Sequence, residues 1–583
     1  MTIRFSNTNS VWASVLVETL YRVGLTTAVI CPGSRSAPLA IAFAEHPQIE
    51  AIPILDERSA AFFALGLARR SGRPVALVCT SGTAGANFYP AVIEAREGRV
   101  PLLILTGDRP PELRECNAGQ TVDQQKLFGS FPNWYAELSV PELDLRLLAY
   151  LRQTLLHAWE RTLSPVPGAV HLNQPFRDPL APIPQNAAQA FAREFPADFF
   201  EGITPSDIAP VQLEGMPVFS QVLPLEDWQA SDRGIILAGV AQPYAPEAYC
   251  RAIAQLSQAL GFPVLAEGLS PLRNFAALVP HLVSTYDLLL RQSIWAEKLA
   301  PSIVVRIGEM PTSKVLRDWL SETQPRQWVI DPGDRNLDPL HLPTTYLRAS
   351  VEAIIEAIAP AIKSPAPAPI SPYLHLWHQA EQQTRQQLDQ ALGETPFGFE
   401  GRVAWELSRC LPEDTSLFIA NSTQVRNVEW FWQPGNRRIR PWVNRGANGI
   451  DGTLSTALGI AHQNPGTVLL TGDLALLHDT NGFLISPRLS GHLTIVLINN
   501  HGGGIFERLP IHQFDPPFED FFATPQTVDF EQLCQTYGVE YERIHSWEHL
   551  RRSLHSLPSS GVRLLEIRSD RKADARWFER FIR

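Results

Sequence analysis

Cysteine is scarce in this chain of 583 residues. There are six, at Cys31, Cys79, Cys116, Cys250, Cys410 and Cys534, and none forms a C-x-x-C pair. That spacing argues against a zinc site and against the disulfide framework of a small secreted domain. Runs of positive charge are missing too. Sixty Asp and Glu outweigh 49 Lys and Arg, for a net charge of −11. Nucleic acid and anionic membranes are therefore not expected as partners. No window of about 18 residues is free of charge and proline, so no membrane-spanning helix is expected. The stretch MTIRFSNTNSVWASVLVETLYRVG lacks a basic segment followed by an apolar one. It reads as an amphipathic helix starting near Asn9, and the expected compartment is the cytoplasm. G-x-S-x-G is absent, so the HGGG string at His501–Gly504 has no nucleophile elbow to serve as in lipases and esterases. No strand is followed by G-x-G-x-x-G, which leaves NAD and FAD without their fingerprint.

What is present points to a large α/β protein. At about 150 residues per domain, the length predicts three or four domains. Proline is in excess, at 49 residues, and has to occupy turns, helix starts and linkers because it breaks helix interiors and central strands. Two Pro/Ala-rich stretches, DPLAPIPQNAAQA (Asp178–Ala190) and SPAPAPISP (Ser364–Pro372), read as connectors. They divide the chain into 1–185, 190–363 and 372–583. All three pieces alternate apolar β-branched runs with helical stretches. The runs are TTAVICP, IEAIPIL, VALVCT and PLLILT in the first piece, and GIILAG, FPVLAE, IVVRIG and QWVID in the second. The third has SLFIAN, TVLLTGD, LTIVLINN and RLLEIRS. Continuous apolar strands joined by helices imply parallel sheets covered on both faces, hence three consecutive α/β domains. Ligands in such sheets sit beyond the carboxyl ends of the strands.

Two strand ends in the third piece stand out. One run closes on Gly472-Asp473 and the next on Asn499-Asn500, followed by Gly502, Gly503 and Gly504. A right-handed crossover between neighbouring strands brings Asp473 and Asn500 into one small volume. A carboxylate, an amide oxygen and the Gly502 carbonyl make a hard-oxygen set suited to Mg²⁺. Mn²⁺ accepts the same donors. A helix-capping Asp and an Asn turn would account for either string taken alone.

Together the two strings resemble the metal–diphosphate motif of thiamine-diphosphate enzymes, with Leu474 where that motif usually has Gly. The resemblance implies a pyrimidine-binding domain over 1–185, a middle nucleotide-fold-like domain over 190–363 and a diphosphate-binding domain over 372–583. It also calls for a carboxylate that activates the cofactor's aminopyrimidine. In ILDERSAAFFALGLA that residue is Glu57, followed by Ala60, Ala61, Ala64, Gly66 and Ala68.

PGSRS, TSGTAGANFYPA, TGDRPPEL, NRGANGIDG and the GDL variant narrow the resemblance. They are similar to the family of 2-succinyl-5-enolpyruvyl-6-hydroxy-3-cyclohexene-1-carboxylate synthases, enzymes of menaquinone and phylloquinone biosynthesis. Membership would imply decarboxylation of 2-oxoglutarate and 1,4-addition of the succinyl-carrying intermediate to isochorismate. By the same resemblance, Asp473, Asn500 and Gly502 bind the metal, and Ile450 props the cofactor in its bent shape. Ser34, Arg35, Arg109, Gln120, Ser422, Arg426 and Arg445 bind substrate carboxylates and hydroxyls or orient the intermediate, and Lys314 approaches from the middle domain. Arginine's planar fork suits substrates that carry several carboxylates. Self-association is implied as well, as a homodimer or homotetramer with the active site at the subunit interface. Another thiamine-diphosphate-dependent 2-oxo acid decarboxylase or carboligase is the alternative. A non-catalytic relative would not be expected to keep Glu57, Asp473 and Asn500 together.

Overall fold

A computed structural model describes residues 3–203, 223–361 and 370–582. Three six-stranded sheets follow one another along the chain, and every strand pair in them is parallel. The first holds β1 (Thr27–Ile30), β2 (Glu50–Pro53), β3 (Val75–Cys79), β4 (Leu102–Asp108), β5 (Trp134–Glu137) and β6 (Ala169–Pro175). The second holds β7 (Gly234–Ala238), β8 (Val264–Ala266), β9 (Leu282–Val283), β10 (Ile303–Ile307), β11 (Arg326–Ile330) and β12 (Thr344–Leu347). In the third are β13 (Ser416–Ile419), β14 (Arg440–Trp442), β15 (Asn464–Gly472), β16 (Gly491–Asn499), β17 (Glu540–Arg543) and β18 (Gly561–Arg568). The α/β expectation is met.

The sheets come in two strand orders. The first runs β2-β1-β3-β4-β6-β5 and the third β14-β13-β15-β16-β18-β17, so each places its own six strands in the same order. The second runs β12-β11-β10-β7-β8-β9, with its first and fourth strands side by side at the centre. That is the doubly wound order of dinucleotide-binding folds.

The chain forms two compact units. One contains the first sheet together with Asn444–His462 and His478–Leu489; the other contains the second and third sheets. In the first unit, Trp12, Val15, Leu16 and Leu20 of the helix Thr8–Arg22 are fully buried. Asn7 caps that helix by accepting from Ser10 N. The stretch Asp178–Ala190 is anchored here: Ala181 O accepts from Asn7, and Gln185 N donates to Ser6 O. Its last residues enter the helix Asn186–Phe191, and Phe191, Phe199 and Phe200 join the same core. Of the second Pro/Ala stretch, residues 364–369 lie outside the described residues, while Ser371 caps the long helix Pro372–Glu394.

Two helices of the first unit, Glu57–Ser71 and Thr453–Ala461, cross at closest approach through Gly66 and Gly459. A Cβ on Gly66 would lie 2.2 Å from Thr456 O, and one on Gly459 would lie 2.2 Å from Phe63 O. Gly66 therefore serves backbone-to-backbone packing. Among the described residues no helix is long and apolar enough to cross a membrane.

Candidate active site

In the first and third sheets the strand order reverses between the first and third strands, which is where a crevice opens at the carboxyl ends. In the first unit β1 runs on into Cys31-Pro32-Gly33-Ser34-Arg35, and Cys31 N donates to Val78 O at 2.8 Å. Ser34 is exposed in the turn, and its carbonyl accepts from Ala37 N. Arg35 is buried; its backbone N donates to Thr80 Oγ1 at 3.2 Å and its Nη1 to Phe176 O at 2.8 Å. Its Nε has no hydrogen-bond partner. Burial, then the like charge of Arg109, lowers the pKa of this guanidinium. A carboxylate arriving here would relieve both effects.

Arg109 follows β4 and donates through Nη1 to Ser81 Oγ (3.0 Å) and through Nη2 to Gly119 O (2.9 Å). Gln120 is bound to the same serine twice, its Nε2 donating to Ser81 O and its carbonyl accepting from Ser81 Oγ, both at 2.9 Å. With Ser34 next to Arg35 in the chain, Arg35, Arg109 and Gln120 are thus gathered around Thr80-Ser81. Those two residues were not singled out from sequence, although they lie in the TSGTAGANFYPA string.

Glu57 opens its helix, where a negative charge suits the macrodipole. Asp56 caps that helix, accepting from Ser59 N at 2.8 Å, and its second oxygen accepts from Asn481 Nδ2 at 2.9 Å. Glu57 is half-buried, and after burial its charge helps to push the Cys79 thiol up, with the same sense at Cys31. Segment 444–452 belongs to this unit and brings Arg445 and Ile450 with it. Glu94 fixes the segment, accepting from Gly446 N at 2.9 Å and Ala447 N at 2.7 Å while paired with Arg69 at 3.1 Å. Burial raises the Glu94 pKa; Arg69, the two amides and Arg445 oppose it. The Ile450 carbonyl accepts from Thr453 Oγ1 at 2.7 Å, joining that loop to the next helix. Glu94 carries no signal in sequence, because its amide partners lie 352 and 353 residues away.

The second unit holds the oxygen donors. β15 pairs with β16 in a register that sets Gly472 opposite Ile498, so Asp473 and Asn500 leave adjacent strand ends. Asp473 is 4% exposed; Oδ2 accepts from Gly502 N and Oδ1 from Leu474 N, both at 2.8 Å. Burial raises the pKa of its carboxyl, which those amides oppose. Asn500 is 5% exposed, and its Oδ1 has no hydrogen-bond partner although it is buried. Gly502 has φ +129°, and a Cβ there would lie 2.3 Å from Ala523 O, so only glycine fits. An orphaned amide oxygen beside a buried carboxylate and a glycine loop fits a hard divalent cation. Among the described residues no group of three or more His, Cys, Asp or Glu is placed to hold a metal. A cation here would rest on one carboxylate, the amide and backbone oxygens.

In the same unit Ser422, which follows β13, has φ +72° at the N-cap of the helix Thr423–Phe431, and its side chain makes no capping bond. Arg426, one turn on, donates from Nη1 to Ser422 O at 2.6 Å. Gln424 Oε1 is buried without a partner beside these residues. Lys314 starts the helix Lys314–Thr323 of the second sheet; it is 80% exposed and paired with Asp318 at 2.6 Å.

Three family profiles match consecutive parts of the chain. They are the thiamine pyrophosphate enzyme N-terminal TPP binding domain over residues 11–127, the middle domain of thiamine pyrophosphate enzymes over 216–419 and the C-terminal TPP binding domain over 427–567. Curated relatives are similar over nearly the full length. A protein of Nostoc sp. (strain PCC 7120 / SAG 25.82 / UTEX 2576) is 60% identical over 580 residues, covering 99% of this chain and 98% of its own. One from Trichormus variabilis (strain ATCC 29413 / PCC 7937) is 60% identical with the same coverage. A third, from Gloeothece citriformis (strain PCC 7424), is 58% identical over 583 residues, with coverage of 99% and 98%. All three bear the name 2-succinyl-5-enolpyruvyl-6-hydroxy-3-cyclohexene-1-carboxylate synthase.

Proposed function

Because the chain belongs to the 2-succinyl-5-enolpyruvyl-6-hydroxy-3-cyclohexene-1-carboxylate synthase family of thiamine pyrophosphate enzymes, we propose that it joins a four-carbon unit from 2-oxoglutarate to the β-carbon of isochorismate, with loss of carbon dioxide. It is a thiamine-diphosphate-dependent, carbon–carbon bond-forming synthase of menaquinone or phylloquinone biosynthesis. The substrates, the metal, the residue roles, the domain limits 1–185, 190–363 and 372–583, the cytoplasmic location and the oligomer belong to the proposal.

When bound, thiamine diphosphate supplies a carbon nucleophile and an acceptor for the electron pair that departing carbon dioxide leaves behind. Asp473, Asn500 Oδ1 and the Gly502 carbonyl would hold Mg²⁺ or Mn²⁺, and Ile450 would support the cofactor. The Glu57 carboxylate holds and moves a proton at the aminopyrimidine ring. Ser34, Arg35, Arg109, Gln120, Ser422, Arg426 and Arg445 bind substrate carboxylates and hydroxyls or orient the intermediate. Lys314 adds a weaker contact, since an exposed pair with Asp318 costs roughly 0.2–1 kcal/mol to break. Homodimers or homotetramers form in which the first unit of one copy faces the third sheet of another. Comparing solution mass with activity on dilution checks this, and an active monomer would refute it.

The observation that carries the reading is the buried, unpartnered Asn500 Oδ1 beside Asp473 and the glycine loop. The test mixes protein, thiamine diphosphate, Mg²⁺, 2-oxoglutarate and isochorismate and follows isochorismate absorbance. Consumption that requires all the components is expected. No consumption, with turnover of pyruvate instead, would favour another 2-oxo acid decarboxylase or carboligase.

A further inference from the structure

An asparagine side chain presents oxygen and nitrogen on nearly identical shapes, yet only the oxygen can ligate a cation. Something must decide which way the Asn500 amide faces. Its Nδ2 donates to Glu400 Oε2 at 3.1 Å. Glu400 opens the helix Glu400–Cys410 and is 2% exposed. Burial raises the pKa of this carboxyl, and the Arg508 guanidinium at 3.1 Å opposes that and favours the ionised form; ionised, it only accepts, so it pairs with Nδ2 and repels Oδ1.

Glu400 is itself held at its carboxylate and at its backbone. Its Oε1 accepts from Arg508 Nη2 at 3.1 Å, and Arg508 lies over the Phe578 ring at 4.6 Å. The Glu400 backbone N donates to Asp574 Oδ1 at 3.3 Å, and Asp574 Oδ2 accepts from Ser569 Oγ at 3.0 Å. Gly504 leaves room for the amide, since a Cβ there would lie 2.7 Å from Asn500 Nδ2. Asn500 is thus confined, with one face occupied by a fixed acceptor.

We propose that Glu400 is a positioning residue for the metal site, orienting the Asn500 amide so that Oδ1 is presented to the cation. This rests on the reading of Asp473, Asn500 and Gly502 as that site. Glu400 touches neither the cation nor the substrate; it acts through Asn500, as outer partners act on metal ligands.

The test measures Mn²⁺ binding by the electron paramagnetic resonance signal of free Mn²⁺, with thiamine diphosphate present and substrates absent. Glu400→Gln is expected to weaken Mn²⁺ binding by about 10–100-fold, the usual effect of removing an outer partner. Its amide accepts or donates and so permits either orientation of Asn500. Asn500→Asp is expected to weaken binding as well, because two carboxylates then face each other. The double variant should recover about tenfold over Asn500→Asp alone, since the amide at 400 can donate to the carboxylate at 500. A structural role alone would give losses that add, and that result would overturn the proposal. Mn²⁺ affinity of Glu400→Gln within about twofold of the parent would overturn it too, because an outer partner costs more. If Glu400→Gln does not fold, Glu400→Asp serves: its shorter side chain withdraws the acceptor, weaker Mn²⁺ binding supports the proposal and unchanged binding overturns it. Failure of the parent protein to bind Mn²⁺ with thiamine diphosphate present would instead sink the reading of the cation site.

Discussion

The first and third sheets arrange their strands in one order, yet the residues at their strand ends are chemically unlike. At the end of the first sheet stand Arg35 and Arg109, the hydroxyls of Thr80 and Ser81, and Glu57. At the end of the third are a buried carboxylate, a buried amide oxygen and a glycine loop. The topology fixes where a crevice opens, and the side chains fix what it binds. Guanidinium and hydroxyl groups suit anions, whereas carboxylate and amide oxygens suit a hard cation. The middle sheet sharpens the contrast, because its different strand order goes with a single candidate residue, Lys314, which is exposed.

Perturbing the two ends separately should produce different failures. Glu57→Gln has the largest expected effect, a fall in kcat of about 10²–10⁴-fold from loss of proton transfer. Mn²⁺ affinity should stay near that of the parent protein. Steady-state rates and exchange of the cofactor's C2 proton measure it; a parental exchange rate would remove Glu57 from its role.

Asp473→Ala attacks the other end. Mn²⁺ affinity with thiamine diphosphate present should fall by more than the ~100-fold that outer partners can cost. Titration calorimetry measures this, and unchanged affinity would break the contrast.

Arg35→Ala, Arg426→Ala and Arg445→Ala should each raise substrate KM by roughly 10–100-fold, in line with about 1.5–3 kcal/mol for hydrogen bonds to a charged group. Cofactor affinity should change far less. Kinetics that match the parent would remove that arginine from the site. Lys314→Ala is expected to be mildest, with KM up by about fivefold at most, the scale of an exposed ion pair. A loss as large as that of Arg35→Ala would give the middle sheet a share in binding.

Four of the six strands in each sheet were legible as apolar runs. The ones missed were β5, β6, β9, β12, β14 and β17. Five of these are edge strands, short or half-exposed, so they need no continuous apolar run. β6 is interior, but AVHLNQP includes buried polar residues whose partners lie far away in sequence: His171 with Thr106, Asn173 with Asp108 and Gln124, and Gln174 with Trp12. Period and polarity cannot reveal a strand whose polar groups are satisfied only by the folded chain. The same limit hid Glu94 and Glu400.

By itself the sequence determined the parallel α/β architecture, because uninterrupted apolar strands have to be covered on both faces. It also offered candidate groups, Glu57, Asp473, Asn500 and the arginines, through the resemblance of the strings that hold them to one enzyme family. The tertiary structure decided which of these groups share a crevice and what holds each one still. It drew Arg445 and Ile450 into the unit of the first sheet, anchored their loop on Glu94 and set Glu400 against the Asn500 amide. The reason is physical: buried polar groups have to find partners, and folding supplies those partners from residues that sequence distance keeps apart.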